Sequence, residues 1–202
     1  MLASPQEYIN SEEVETLISN IQQGNTNEYE AIIKIFQQPI FRYCYRLLGN
    51  RQDAEDAVQD VLVKAYQSLH QYKKENHFSA WLYRIAYHHC LNLLRRRRIY
   101  LNVLKIISLE SVVISYEQEL DNILYKPLWA AALSRLSLEE RNLLILRVFE
   151  DKTFAEIGTI LKVNPNALVK RMKRIQQKIR KSMKLKEEFV WNETELPMNT
   201  KI

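Results

Sequence analysis

Apolar residues recur along this chain at intervals of three and four almost from end to end, and no window alternates with period two. That pattern predicts helices throughout. Val14, Leu17, Ile18 and Ile21 form a first stripe, capped by Asn10 or Ser11, ending near Gly24 and acidic on its outer face. Tyr29, Ile32, Ile33 and Phe36 form a second. Pro39 is expected to break it and restart it through Ile40, Tyr43, Cys44, Leu47 and Leu48, with Gly49 as the stop. Ala54, Val58, Val61, Leu62, Ala65 and Leu69 form a third, with Asp56, Gln59 and Asp60 opposite and Asp53 as the expected cap. A fourth helix runs from about Ser79 to Arg98, with Phe78, Leu82, Ile85, Ala86, His89 and Leu93 on one side.

Residues 99–126 are markedly apolar and contain no Gly or Pro, unlike a flexible linker. They are expected either to pack between two domains or to dock on a partner. Leu128, Trp129, Ala132, Leu133 and Leu136 then resume the helical stripe from about Pro127. Ser137-Leu138-Glu139-Glu140 is a capping box opening a helix with Leu143, Leu144, Leu146, Val148 and Phe149; Thr153-Phe154-Ala155-Glu156 is another, ahead of Ile157, Ile160 and Leu161. A turn, Lys162-Val163-Asn164, leads to Pro165 at a first helical position, with Asn164 as cap and a helix to about Met183. The layout is helix-turn-helix. The predicted fold is all-α in two small helical domains. Residues 11–98 and 127–186 form the domains, 99–126 joins them, and 187–202 are an acidic tail.

Composition agrees: the 202 residues include three glycines, five prolines and 47% hydrophobic residues. No apolar run reaches the ~18 residues a membrane span needs, and the start has no basic or apolar leader, so a cytoplasmic protein without membrane insertion is expected. Cys44 and Cys90 lack metal-ligand spacing and read as buried or half-buried thiols. His88-His89-Cys90 cannot converge on one ion, because adjacent helical residues point about 100° apart. With no triad, phosphate loop or zinc signature, neither an enzyme nor a cofactor is expected.

Charge changes the picture more. Residues 1–33 hold six acids and no base, whereas residues 34–98 hold twelve bases and five acids; residues 127–186 hold fourteen and five. Two basic bodies flanked by acidic segments are the footprint of a two-part polyanion binder. Trp81, Arg84, His88, Asn92 and Arg95 share one face of the fourth helix, interleaving a ring with cations and an amide. Cations hold phosphates, aromatics stack on unpaired bases and Asn reads base edges. The loop from Gln71 to His77 is rich in residues that reach bases or phosphates. On the last helix Leu168, Met172, Ile175, Ile179 and Met183 face inward, with Asn166, Lys170, Lys173, Arg174, Gln177 and Lys181 opposite. From Asn166 to Lys186 there are nine bases and no carboxylate, as a helix in a major groove requires.

Both motifs together resemble the extracytoplasmic-function (ECF) sigma factors of the sigma-70 superfamily, over about residues 11–184. Asp53-Ala54-Glu55-Asp56-Ala57-Val58-Gln59-Asp60 is similar to their polymerase-binding segment, Phe78 to Ala86 to their promoter-melting segment, and Leu136 to Leu161 to the start of their upstream-element domain. The resemblance implies core RNA polymerase and promoter DNA as partners. Asp53, Glu55, Asp56, Gln59 and Asp60 would face the polymerase clamp helices. Tyr72, Asn76, Phe78, Trp81, Arg84, His88, Asn92 and Arg95 would meet the minus-ten element, and Asn166, Lys170, Arg171, Lys173, Arg174 and Gln177 the minus-thirty-five element. Family members are often held by an anti-sigma factor. Two departures stand out: His88 replaces a usual Asn, and Asn166-Ala167-Leu168-Val169 replaces a Gly-Thr-Val-Lys pattern, which points to an atypical upstream sequence. Opening five base-pair steps costs roughly 7 kcal/mol. Stacking one base returns only ~1–3 kcal/mol, so a larger machine must supply the rest. The rival reading is a free-standing helix-turn-helix regulator of duplex DNA, which leaves the Trp81 face unexplained.

Overall fold

An α-helix that runs unbroken through Pro39 is the first departure from expectation. In the computed structural model, which describes residues 11–74, 77–107, 133 and 135–184, α1 spans Ser11–Gln22 and α2 spans Tyr29–Leu48 without interruption at Pro39. Proline removes one backbone bond, at a cost of about 3 kcal/mol. Ile32, Phe36, Ile40, Tyr43 and Leu47 are buried on both sides of it, and that shared face holds the helix through the defect. Gly49 ends it with φ 75°, a left-handed conformation that lets its N–H reach the Tyr45 carbonyl.

α3 spans Arg51–Gln67 and is capped by Asn50, not by Asp53: the Asp53 N–H donates to Asn50 Oδ1 at 2.9 Å. The Asp53 carboxylate pairs with Arg97 instead, at 3.1 Å. The six apolar positions predicted for α3 are buried. α4 spans Phe78–Ile107, starting one residue before expectation and running nine beyond it. The first part of the predicted linker is therefore helix, with Ile99 and Tyr100 exposed on it; residues 108–126 lie outside the described residues.

Both predicted capping boxes form. Ser137 opens α5, Leu138–Leu144, and Thr153 opens α6, Phe154–Leu161. α5 does not continue as α-helix through Phe149. Ile145–Phe149 is a π-helical turn, closed by the Glu150 N–H on the Ile145 carbonyl at 3.1 Å, and it leaves Val148 outside and Glu150 inside. α7 spans Pro165–Lys184, with the Asn166 N–H on Asn164 Oδ1 at 2.9 Å as predicted. Gly158 makes the turn before it tight: a Cβ there would meet the Val163 carbonyl oxygen at 2.8 Å and Pro165 Cγ at 3.2 Å.

Every element among the described residues is helical. The buried residues of α1–α4 and of α5–α7 belong to one continuous cluster. Tyr43 of α2 donates to Oδ1 of Asn142 in α5 at 2.7 Å inside that cluster. Cys44 and Cys90 are both buried, and their mutual contact with burial pushes the Cys44 thiol well above its ordinary range. No described helix is long and apolar enough to cross a membrane.

Candidate nucleic-acid interface

The outward stripe of α3 keeps its predicted polar character. Asp56 and Gln59 are exposed, Glu55 pairs with Arg51 at 2.8 Å, Asp53 with Arg97 at 3.1 Å, and Asp60 lies 3.7 Å from His89 Nε2. One of the acids, Asp53, thus ties α3 to α4. Sequence reasoning overlooked Val63 and Tyr66, which are 56% and 41% exposed and extend the Asp56–Gln59 stripe by one and two turns. The signal was present: a β-branched residue and an aromatic on an otherwise polar helix face. Mixed acidic and apolar groups on one exposed stripe suit a protein surface better than a polyanion.

The α4 face is less uniform than its helical wheel. Tyr72 and Phe78, expected to meet DNA, are core residues at 6% and 1% exposure. Their rings pack edge to face at 5.5 Å, a fit that a polar-loop reading could not foresee. Trp81 is half-buried, its ring 5.4 Å from Tyr72 and 5.5 Å from Phe78, so it stands on an aromatic platform. Arg84 is engaged: its Nε–H donates to the Ile160 carbonyl at 3.0 Å and a second guanidinium N–H to that of Thr159, both at the end of α6. A helix C-terminus carries orphan carbonyls and partial negative charge, so a guanidinium suits it.

His88, Asn92 and Arg95 are exposed, and Asn76 lies outside the described residues. Burial depresses the His88 pKa, and Arg84, Lys64, Arg95 and Lys162 depress it further. Four cations therefore gather on a neutral imidazole, across α3, α4 and the end of α6. His89 turns the other way, toward α3.

α7 carries its predicted face intact. Asn166, Lys170, Arg171, Lys173, Arg174 and Gln177 are all exposed, while Leu168, Met172, Ile175 and Ile179 are buried. Lys178 holds the helix to α5 through Glu140 at 2.6 Å, and that bond draws the Glu140 pKa down.

A group that no motif pointed to joins the two halves. Glu150, buried, accepts from Arg46 at 2.5 Å and from the Tyr83 hydroxyl at 2.8 Å. Arg46 also lies over the Phe149 ring at 5.0 Å, and Lys152 over Tyr83 at 5.3 Å, with its Nζ 3.5 Å from Ser79 Oγ. Arg46, Tyr83 and Glu150 are 37 to 104 residues apart in sequence, which is why local patterning did not reveal them.

Residues 32–99 match the Sigma-70 region 2 family. Over 178 residues the chain is 24% identical to the ECF RNA polymerase sigma factor SigW of Bacillus subtilis (strain 168), covering 83% of this chain and 95% of that one. The fold is similar to that of CnrH in complex with the cytosolic domain of CnrY, with a TM-score of 0.63 at 19% identity, covering 85% of this chain and 97% of that one. It is also similar to the sigma factor RpoE of Bartonella quintana in complex with the anti-sigma factor NepR, at 0.60 and 20%, covering 79% and 98%. Residues 32–99 are thus a Sigma-70 region 2 domain. Over most of its length the chain is similar to RNA polymerase sigma factors of the extracytoplasmic-function group.

Proposed function

We infer that this protein binds core RNA polymerase and directs it to a specific set of promoters, as ECF sigma factors do. The observation that carries the reading is the pairing, within residues 32–99, of an exposed acidic and apolar stripe on α3 with an aromatic and cationic face on α4. One helix presents a protein-binding surface and its neighbour a surface for unpaired bases. Asp53, Glu55, Asp56, Gln59 and Asp60, joined by Val63 and Tyr66, would lie on the polymerase. Trp81, Arg84, His88, Asn92 and Arg95 would meet the minus-ten element, with Asn76 from the loop before α4. Tyr72 and Phe78 support Trp81 from below. The six exposed polar residues of α7 would read the minus-thirty-five element from the major groove.

In this reading the described arrangement is a closed form. Arg84 cannot meet phosphate while it holds the α6 carbonyls, so α6 must leave α4 when the promoter-bound complex forms. An anti-sigma protein that stabilised closure would act as an inhibitor. The protein would work in the cytoplasm, where the polymerase is, and the bond-making chemistry would belong to the polymerase. In vitro transcription on fragmented genomic DNA tests the reading. Core plus this protein should give discrete start sites absent with core alone, and Asp56→Arg should remove them with helical content unchanged. Duplex binding by the protein alone, without new starts, would favour a free-standing regulator.

A further inference from the structure

We propose that Glu15 is a positioning residue for promoter melting: it holds, from α1, the helix start and the tyrosine on which Trp81 stands. The inference rests on the sigma-factor reading above. Glu15 lies on the helix whose outer face was expected to be acidic and solvated, yet it is 7% exposed. Its Oε1 accepts the Phe78 N–H at 2.9 Å, and the Tyr72 hydroxyl lies 2.7 and 2.8 Å from its two carboxylate oxygens. Among the described residues no cation pairs with it.

A buried carboxylate without a cation persists only where hydrogen bonds replace its water. A leucine would fill the same space at lower cost if packing were the only need. What the carboxylate adds is geometry. The chain enters α4 through His77 in a left-handed conformation at φ 49°, and residue 77 cannot cap with its own side chain as Ser137 and Thr153 do for α5 and α6. Glu15 supplies the missing acceptor from 63 residues away.

The same oxygens fix the Tyr72 ring. Burial and the Glu15 contact push its hydroxyl pKa far above the ordinary range, so it remains a donor at every working pH. Tyr72 and Phe78 then meet at 5.5 Å, and both meet Trp81. Two turns further along α1, Gln22 Nε2 donates to the Leu69 carbonyl at 2.8 Å and the Tyr72 carbonyl at 3.2 Å. α1 thus grips the chain on both sides of the loop that precedes α4. The orientation of Trp81, the ring placed to stack at the edge of an opening bubble, is set by a residue that touches no DNA.

The test compares the full-length protein with Glu15→Gln, Tyr72→Phe and Trp81→Ala, each assembled with core polymerase. Permanganate reactivity of promoter thymines is read on duplex DNA and on a template already unpaired across the minus-ten element. Core affinity and the thermal midpoint are measured beside it. Glu15→Gln should lower opening of duplex about tenfold with core affinity unchanged and recover on the unpaired template; Tyr72→Phe should reproduce part of that loss. Normal opening by Glu15→Gln overturns the proposal, and so does an equal loss on both templates with weakened core binding, which marks Glu15 as fold support alone. Failure of the unaltered protein to open duplex, or a fully active Trp81→Ala, overturns the underlying reading and the proposal with it.

Discussion

The two proposed DNA-reading faces of this protein are built in opposite ways. On α7 the polar residues are exposed and their positions follow from a helical repeat and a capping asparagine. On α4 the working ring is half-buried on an aromatic platform and the working cation is held by carbonyls of another helix. The difference follows from what each face would touch. Lysines and arginines aimed at duplex phosphate are well hydrated in the free protein and cost nothing to leave open. An aromatic patch for unpaired bases is an exposed apolar surface until the bases arrive, and such surfaces are covered or become sticky. Holding Arg84 on the α6 carbonyls makes opening of the protein a step that competes with opening of DNA.

Breaking the junction at Glu150 should have the largest effect on that contrast. Glu150→Ala strands the Arg46 guanidinium beside Phe149. Removing one partner of a buried pair costs roughly 3–5 kcal/mol, and the lower end applies because Arg46 keeps 15% of its surface. Small-angle scattering should show expansion of the free protein while helical content is retained. An unchanged radius would mean that the apolar contacts around Tyr43 and Leu146 close the two halves unaided.

Next in size is the open face. Lys170→Ala with Arg174→Ala should weaken duplex binding by roughly 1–3 kcal/mol for each residue that reads a base, or flatten the salt slope by about one for each that holds a phosphate. Trp81→Ala should leave binding of the free protein to closed duplex unaltered, since that ring is placed for unpaired bases. If Trp81→Ala weakens duplex binding as much as the α7 pair does, the two faces are not distinct in kind.

How far the sequence foretold these two faces depends on where the partners lie. The capping boxes at Ser137 and Thr153, the stop at Gly49 and the α7 stripe are all set within four or five residues, and all were legible. The Pro39 break was over-read, because the apolar face that bridges it is a tertiary fact. Asp53 yielded the cap to Asn50, since an acceptor three residues before the N–H it takes satisfies the helix start better than a residue already inside it. The partners of Glu15, Arg84, Asn142 and Glu150 were invisible as a class, each lying 57 or more residues distant. A buried acid in an amphipathic helix reads as solvated until its partners are known. The same reasoning explains Tyr72 and Phe78, whose aromatic character suited either DNA or core.

Gly158→Ala probes the geometry of the open face at a smaller cost. The new methyl would stand 2.8 Å from the Val163 carbonyl oxygen, which is backbone and cannot swing away. A loss of about 1–3 kcal/mol in stability is expected, read as a lowered thermal midpoint. The turn would shift α7 against α6, so duplex affinity should fall with it while α1–α4 keep their helical signal.

The smallest effect, and the sharpest test of the covered face, is its pH dependence. Burial raises the Glu150 carboxyl above its ordinary range, with Tyr83, Arg46 and Arg42 pulling it partly back. A carboxyl whose pKa is higher in the closed form than in the open one binds its proton more tightly when closed. Closure from this group therefore strengthens as pH falls through the raised value and weakens above it. His88 acts in the opposite sense. Burial and the cations Arg84, Lys64, Arg95 and Lys162 lower its pKa. Of these cations Lys162, at the end of α6, leaves on opening; to that extent the open form binds the proton more tightly and acidification favours opening. Tyr43 and Tyr83, both raised by burial, keep their protons over this range, and His89 faces Asp60 on α3. In scattering measurements from pH 7.5 to 5, His88→Gln should close further as pH falls and Glu150→Gln should open. Matching curves for the two variants would place the controlling titration elsewhere than at the α4–α6 contact and the Glu150 junction.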